Sequence, residues 1–376
     1  MDHTRLIMRK RRHNFAAWCT SYARMSRTSR WVVLLLAALF CATARAEQPE
    51  LAAVGVYESQ GILGKGGSSV VAILDAGVDA SHPALIGREL LLADFCGAGS
   101  VDDGAGGAGH GTGVLSILVG QSGSFLGAAP DAAYISVRAM VSGSVYAQAT
   151  FADALFFAAR NGANVVNLSI GYAVSDPEND KAGLILDYVA AKWGVLGVIA
   201  AGNDADSAYR QTPSGAYSAI AVGAVDATYA KVAGFSDRTL ASDPRSKPDL
   251  VAPGVNVMAA AANWETSADY YAATGTSFAA PIVAGVAAQM ASFGTDHFLS
   301  TSPSLLRSIL MTCATKVLSD DGSTWTPRSS TYDAANDVWT IGRPLDDQQG
   351  AGRLDALAAA LVYSRQTSRS MPFVGW

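Results

Sequence analysis

Between residues 70 and 225 the chain alternates short, almost wholly apolar runs with helix-length amphipathic segments. That is the pattern of a parallel sheet whose strands are buried on both faces and joined by helical crossovers. The runs Val70–Leu74, Ala133–Ala139, Asn164–Ile170, Val195–Ala201 and Ala219–Val225 predict strands. Gly111–Val119, Thr150–Asn161 and Lys181–Trp193 predict helices, with Asn161-Gly162 and Trp193-Gly194 as stop signals. Together they predict an α/β fold, a doubly wound and mostly parallel central sheet flanked by helices on both faces. Further on come an apolar helix at Ser277–Phe293 and helices at Pro303–Ala314 and Arg353–Tyr363. Residues 318–349, rich in Asp, Ser and Thr, read as a surface insertion with the character of a hairpin. They fall inside one domain spanning residues 47–363, followed by a C-terminal tail at 364–376.

Charge divides the chain unevenly. The first 46 residues hold nine of the 27 Lys and Arg and only one acid, which leaves a body with 18 basic and 31 acidic residues, a balance of −13. An acidic body argues against nucleic acid or anionic lipid as a partner, since both select a basic face. The basic stretches Arg9–Arg12 and Arg24–Arg30, the apolar run Trp31–Ala42 and Ala44-Arg45-Ala46 have the layout of a secretory signal cleaved before Glu47, with Met1 or Met25 as the start. The apolar run is too short for a stable membrane span, which needs about 20 residues. The expectation is an exported protein, secreted or periplasmic, that acts as a monomer without lasting membrane insertion. After cleavage only Cys96 and Cys313 remain, a pair that permits either one disulfide or two free thiols.

Candidate chemistry gathers where strands end and helices begin. Asp75 closes the strand Val71-Ala72-Ile73-Leu74, the place for an orienting carboxylate, although an Asp-Ala-Gly alone is equally a turn. His110 lies in Gly109-His110-Gly111-Thr112 at a helix N-terminus, whereas His82 and His297 fall in loops and read as structural or solvated. Ser277 opens an apolar helix, where a serine alone is a plain N-cap. Asn203 closes the strand Val198–Gly202, a turn residue by itself and an amide donor in company. A serine hydroxyl needs a base, an orienting acid and oxyanion donors before it attacks a carbonyl. These four residues supply one candidate for each role.

The order Asp75, His110, Asn203, Ser277, each within two residues of a glycine, resembles the subtilisin-like serine proteases. The resemblance runs through Ala72-Ile73-Leu74-Asp75-Ala76-Gly77-Val78-Asp79, Gly109-His110-Gly111-Thr112, Asn167-Leu168-Ser169-Ile170-Gly171, Ala200-Ala201-Gly202-Asn203 and Gly275-Thr276-Ser277-Phe278-Ala279-Ala280-Pro281. It covers nearly the whole chain after the leader. It implies an endopeptidase acting through an acyl-enzyme, with Ser277 as nucleophile, His110 as proton shuttle, Asp75 as orienting acid, and the Ser277 N–H with Asn203 as oxyanion donors. By the same resemblance Ser169, Ile170 and Gly171 pair with an extended peptide or protein substrate, and Ala200, Ala201 and Gly202 line the pocket before the scissile bond. The competing reading is a catalytically silent peptide-binding scaffold on the same fold. It draws support from Gly113, Phe278 and Ile282, which depart from the usual motif neighbours, and from the stretch of about two dozen residues between Glu47 and the first strand, too short for the propeptide common in secreted relatives. The chemistry calls for no cofactor. Structural calcium is common in such proteins, but no ligand set is assignable, and Asp102, Asp103, Asp320 and Asp321 read as solvated loop charges.

Overall fold

Alternation along each apolar run decides the architecture, because successive strand side chains face opposite sides of the sheet. Val71 and Ile73 join one buried cluster while Ala72 and Leu74 join another, so the sheet carries a core on each face. The computed structural model describes residues 47–367 apart from 105–108, 124, 141–147, 175–179, 206–209, 240–244, 267, 325–330, 334–337 and 341–344. Residues 1–46, where the secretory signal is expected, and the tail beyond 367 lie outside the described residues.

Seven strands form the central sheet: β1 (Val70–Asp75), β2 (Glu89–Asp94), β3 (Ala133–Arg138), β4 (Val165–Leu168), β5 (Leu196–Ala200), β6 (Ile220–Val225) and β7 (Leu250–Pro253). Their order is β7-β6-β5-β4-β1-β3-β2, and every neighbouring pair is parallel. Growth on one side of β1 therefore stops with β2 and β3 and resumes on the other side with β4. Such a reversal opens a crevice beyond the carboxyl ends of the strands.

The helices are α1 (Pro49–Ala52), α2 (Val56–Leu63), α3 (His110–Val119), α4 (Gln148–Arg160), α5 (Lys181–Trp193), α6 (Thr276–His297), α7 (Pro303–Thr312) and α8 (Ala356–Ser364). Residues of α3, α6 and α8 enter the cluster that holds Val71, whereas α4 and α5 cover the other face. Among the described residues only α6 is long and apolar enough to cross a membrane, and 94% of its most apolar window is buried in this core.

The five expected strands all form, but two sheet members went unforeseen. Strand β2 lies at an edge with its first residues exposed, so the half-wet sequence ELLLAD carries little periodic signal, and the short β7 ends on Pro253. Helices α1 and α2 were also unforeseen. Within 318–349 an antiparallel pair joins Thr331–Asp333 to Val338–Thr340. The ends of this stretch are tied to the body: Gln349 is fully buried and bonds Val317 in both directions, while the carbonyl of the exposed Leu318 accepts from Val232 N.

Candidate active site

Strand β1 carries Asp75 to the crevice, and α3 brings His110 to meet it from its first turn. The approach is close because residue 111 lacks a side chain. A Cβ there would lie 2.1 Å from the Gly77 carbonyl and 3.2 Å from Asp75 Oδ1. His110 Nδ1 sits 2.8 Å from Asp75 Oδ1, and Asp75 is 1% exposed. An ionised carboxylate only accepts, so the proton of the neutral ring is on Nδ1 and the Nε2 lone pair is left to act as a base. The Ala76 N–H donates to the same Asp75 oxygen at 2.7 Å. Burial disfavours the imidazolium, yet the Asp75 charge, its hydrogen bond and the Asp103 charge outweigh it and raise the His110 pKa above the ordinary value.

Ser277 occupies the first turn of α6, where backbone N–H groups lack helical carbonyls to bond. Its hydroxyl donates to the Ser169 carbonyl at 3.1 Å, and the Ser169 hydroxyl donates to the Ser277 carbonyl at 2.7 Å. This reciprocal pair ties the start of α6 to the end of β4. Ser169 is itself held by Asn167 Nδ2, 2.9 Å from its Oγ.

Asn203 follows β5, with its side-chain oxygen accepting from Thr276 N at 2.9 Å and from the Thr276 hydroxyl at 3.0 Å. A backbone N–H can only donate, so the amide oxygen must be the atom facing Thr276 and Nδ2 must take the other side. Asn203 and Ser277 both border one open cleft of about 390 Å³. Asp75, His110, Ser169, Ile170, Gly171, Ala200 and Gly202 also line it. Ala201 does not: it is 5% exposed and its N–H donates to Val222 O across the sheet.

Further residues complete this site. Thr276 fixes the Asn203 amide, Phe278 packs its ring 5.5 Å from that of His110, and Met140, Asp204 and Gln211 complete the cleft wall. Asp103, read as solvated, instead binds Thr112 and is pushed up to about 6 by burial, against the pull of its Thr112 hydrogen bonds. Asp320, also read as solvated, pairs with Arg238 at 2.5 Å. Cys96 and Cys313 are both free, the former donating to Asp94 Oδ1. His82 is 1% exposed, accepting from Ala84 N and donating to Asp269 O, while His297 is exposed and stacks on Phe293. Among the described residues no group of three or more His, Cys, Asp or Glu could hold a metal ion.

The profile described as the subtilase family matches residues 66–337. Thermitase of Thermoactinomyces vulgaris is 31% identical over 266 residues, covering 70% of this chain and 86% of thermitase. A thermophilic serine proteinase of Bacillus sp. (strain AK1) is 34% identical over 233 residues, covering 60% of this chain and 53% of its own length, so the chain spans about half of that relative. Among solved structures, the prenylagaramide maturation protease PagA superposes with a TM-score of 0.62 at 26% identity, covering 82% of this chain and 98% of that one.

Proposed function

The chain belongs to the subtilase family of serine-type endopeptidases, and from that premise we propose that it is an exported endopeptidase whose Ser277, His110 and Asp75 cleave peptide bonds through an acyl-enzyme. The observation that carries the reading is the 2.8 Å contact between the buried Asp75 and the half-buried His110 in a cleft that Ser277 also lines. Rotation of the Ser277 hydroxyl away from the Ser169 carbonyl turns it toward the ring. His110 Nε2 then takes the hydroxyl proton as Oγ bonds to the scissile carbonyl carbon, and Asp75 stabilises the imidazolium so formed. The Ser277 N–H and Asn203 Nδ2 donate to the resulting oxyanion. Collapse of this intermediate passes the proton from Nε2 to the leaving amine, and water repeats the sequence to free the acyl group.

Substrate is an extended peptide or protein segment. Ser169–Gly171 lies between the end of β4 at Leu168 and a further strand beginning at Tyr172, and its backbone pairs with the peptide as an added strand. Ala200 and Gly202 border the pocket for the residue before the cleaved bond. Every role is filled by the chain itself, so the reaction needs no cofactor. The basic, apolar and small-residue succession of the first 46 residues supports export, and the body acts as a monomer.

A serine-directed fluorophosphonate probe tests the reading. The mature protein should label once, and Ser277→Ala should abolish labelling and peptide cleavage while leaving the circular dichroism spectrum unchanged. Equal labelling of both proteins removes Ser277 as nucleophile. A well-folded protein that never labels is a peptide-binding scaffold.

A further inference from the structure

We propose that Asp103 is a positioning residue for the His110 base, its carboxylate clamping the first turn of α3 through Thr112 and adding a second negative charge to the surroundings of the ring; this rests on the role given to His110 above. The N-cap of α3 is Gly109, which has no side chain to receive the first helical N–H groups. Asp103 takes over that task from six residues upstream. Its Oδ2 accepts from Thr112 N at 3.0 Å and its Oδ1 accepts from the Thr112 hydroxyl at 2.5 Å. A Cβ on Gly109 would lie 2.3 Å from Ala262 Cβ and 3.1 Å from Asp103 Oδ1, so residue 109 has no room for a capping side chain and the carboxylate stands close by. The Thr112 hydroxyl in turn accepts from Asp79 N at 2.7 Å. One chain of bonds therefore braces both the helix that carries His110 and the loop that follows Asp75.

The clamp uses both carboxylate oxygens, and the charge they carry has a further effect. An asparagine would spare the cost of burying a charge but keep only one of the two acceptors, turning its amide nitrogen toward the other Thr112 donor. That cost is real here, since burial pushes Asp103 up to about 6. What the charge adds is attraction for the imidazolium that forms as Ser277 gives up its proton, and the Asp103 charge does raise the His110 pKa. The other ionisable groups of this region are engaged elsewhere or uncharged. Asp75 is the direct partner, and Asp102 caps Gly104 N. Arg138 donates to the Ser100 and Asp102 carbonyls, and the Tyr271 phenol, pushed up to about 12 by burial and by Asp103 and Asp75, stays neutral.

The test is the pH dependence of kcat/KM on a peptide substrate. His110 must be neutral to accept a proton, so activity rises as pH climbs through its pKa. Removing a negative neighbour lowers that pKa and moves the acid limb to lower pH. Asp103→Asn, which keeps an acceptor for Thr112, should shift the limb down by about half to one pH unit with the plateau kept within a few-fold. Asp103→Glu should hold the limb near its original position. An unmoved limb in a folded, active Asp103→Asn enzyme overturns the proposal. Should that variant not fold, the ring signal of His110 in Ser277→Ala protein decides by NMR. With Asp103 titrating in the same range, the signal should depart from a one-proton curve, whereas a clean one-proton curve overturns the proposal. Failure of the underlying reading looks different, because Ser277→Ala would then keep its activity wherever the limb lies.

Discussion

Asn203 shows how much a single amide depends on what holds it. Its oxygen takes both Thr276 donors, at 2.9 and 3.0 Å, and that leaves only Nδ2 to offer a developing negative charge. Asn203→Ala should lower kcat by roughly 10²-fold to 10³-fold, the usual effect of losing one oxyanion donor, with little change in KM. Asn203→Asp is the sharper probe. Aspartate keeps both Thr276 bonds and nearly the same shape but replaces the donor with an acceptor, so it should lose at least as much as alanine. Measured kcat values equal to wild type for both would remove Asn203 from the oxyanion site. In the sequence this residue looked like a turn former, and only its company with Asp75, His110 and Ser277 gave it a role. Thr276 stands in the motif beside Ser277, but its hold on Asn203 is not legible there, because it arises from a contact between positions 73 apart in the chain.

Elements were legible wherever burial imposed a clear period. Lys181–Trp193 forms as a helix over the expected residues, capped by Asp180 and ended by Gly194, because both signals are local. Strand β2 failed that test as a half-exposed edge, and α2 failed it because its short sequence holds polar Ser59 and Gln60 that are buried against other elements. Helix α6 was recognised from its apolar content, but not the reason for Gly285 within it. A Cβ at Gly285 would lie 2.3 Å from Ala128 Cβ and 3.1 Å from Ala128 C, contacts that only a shift of the helix or the Ala128 backbone relieves. Gly285→Ala gains about 0.5–1 kcal/mol of helix propensity, but overpacking of about 1–3 kcal/mol should win. Gly61 in α2 is the matched control, with open space where its Cβ would go. Gly61→Ala should raise Tm and Gly285→Ala should lower it, by roughly 2–4 °C per kcal/mol in a domain of this size. A rise in both would mean that the α6 contact is slack.

At the scale of the molecule, residues 47–63 behave as part of the body. Leu51, Val54, Val56 and Leu63 are each at most 4% exposed within the core cluster that holds α6. Their polar neighbours are committed as well: Gln48 Nε2 donates to Leu126 O, Gln60 Nε2 to the Gly127 and Ala128 carbonyls, and Ser59 Oγ to Gln289 Oε1. Glu50, 3% exposed, accepts from Met258 N, while the Val54 carbonyl receives Ala356 N at the start of α8. The segment thus joins the two ends of the described chain to the back of α6, whose opposite end carries Ser277. Four buried apolar side chains at about 1.5–3 kcal/mol each amount to roughly 6–12 kcal/mol, comparable with the 5–15 kcal/mol net stability of a typical domain. A protein beginning at Glu47 should therefore melt cooperatively and label with the fluorophosphonate probe. One beginning at Gly64 should show neither a cooperative transition nor labelling. Retention of both by the shorter protein would make residues 47–63 a removable leader rather than a structural flank of the enzyme.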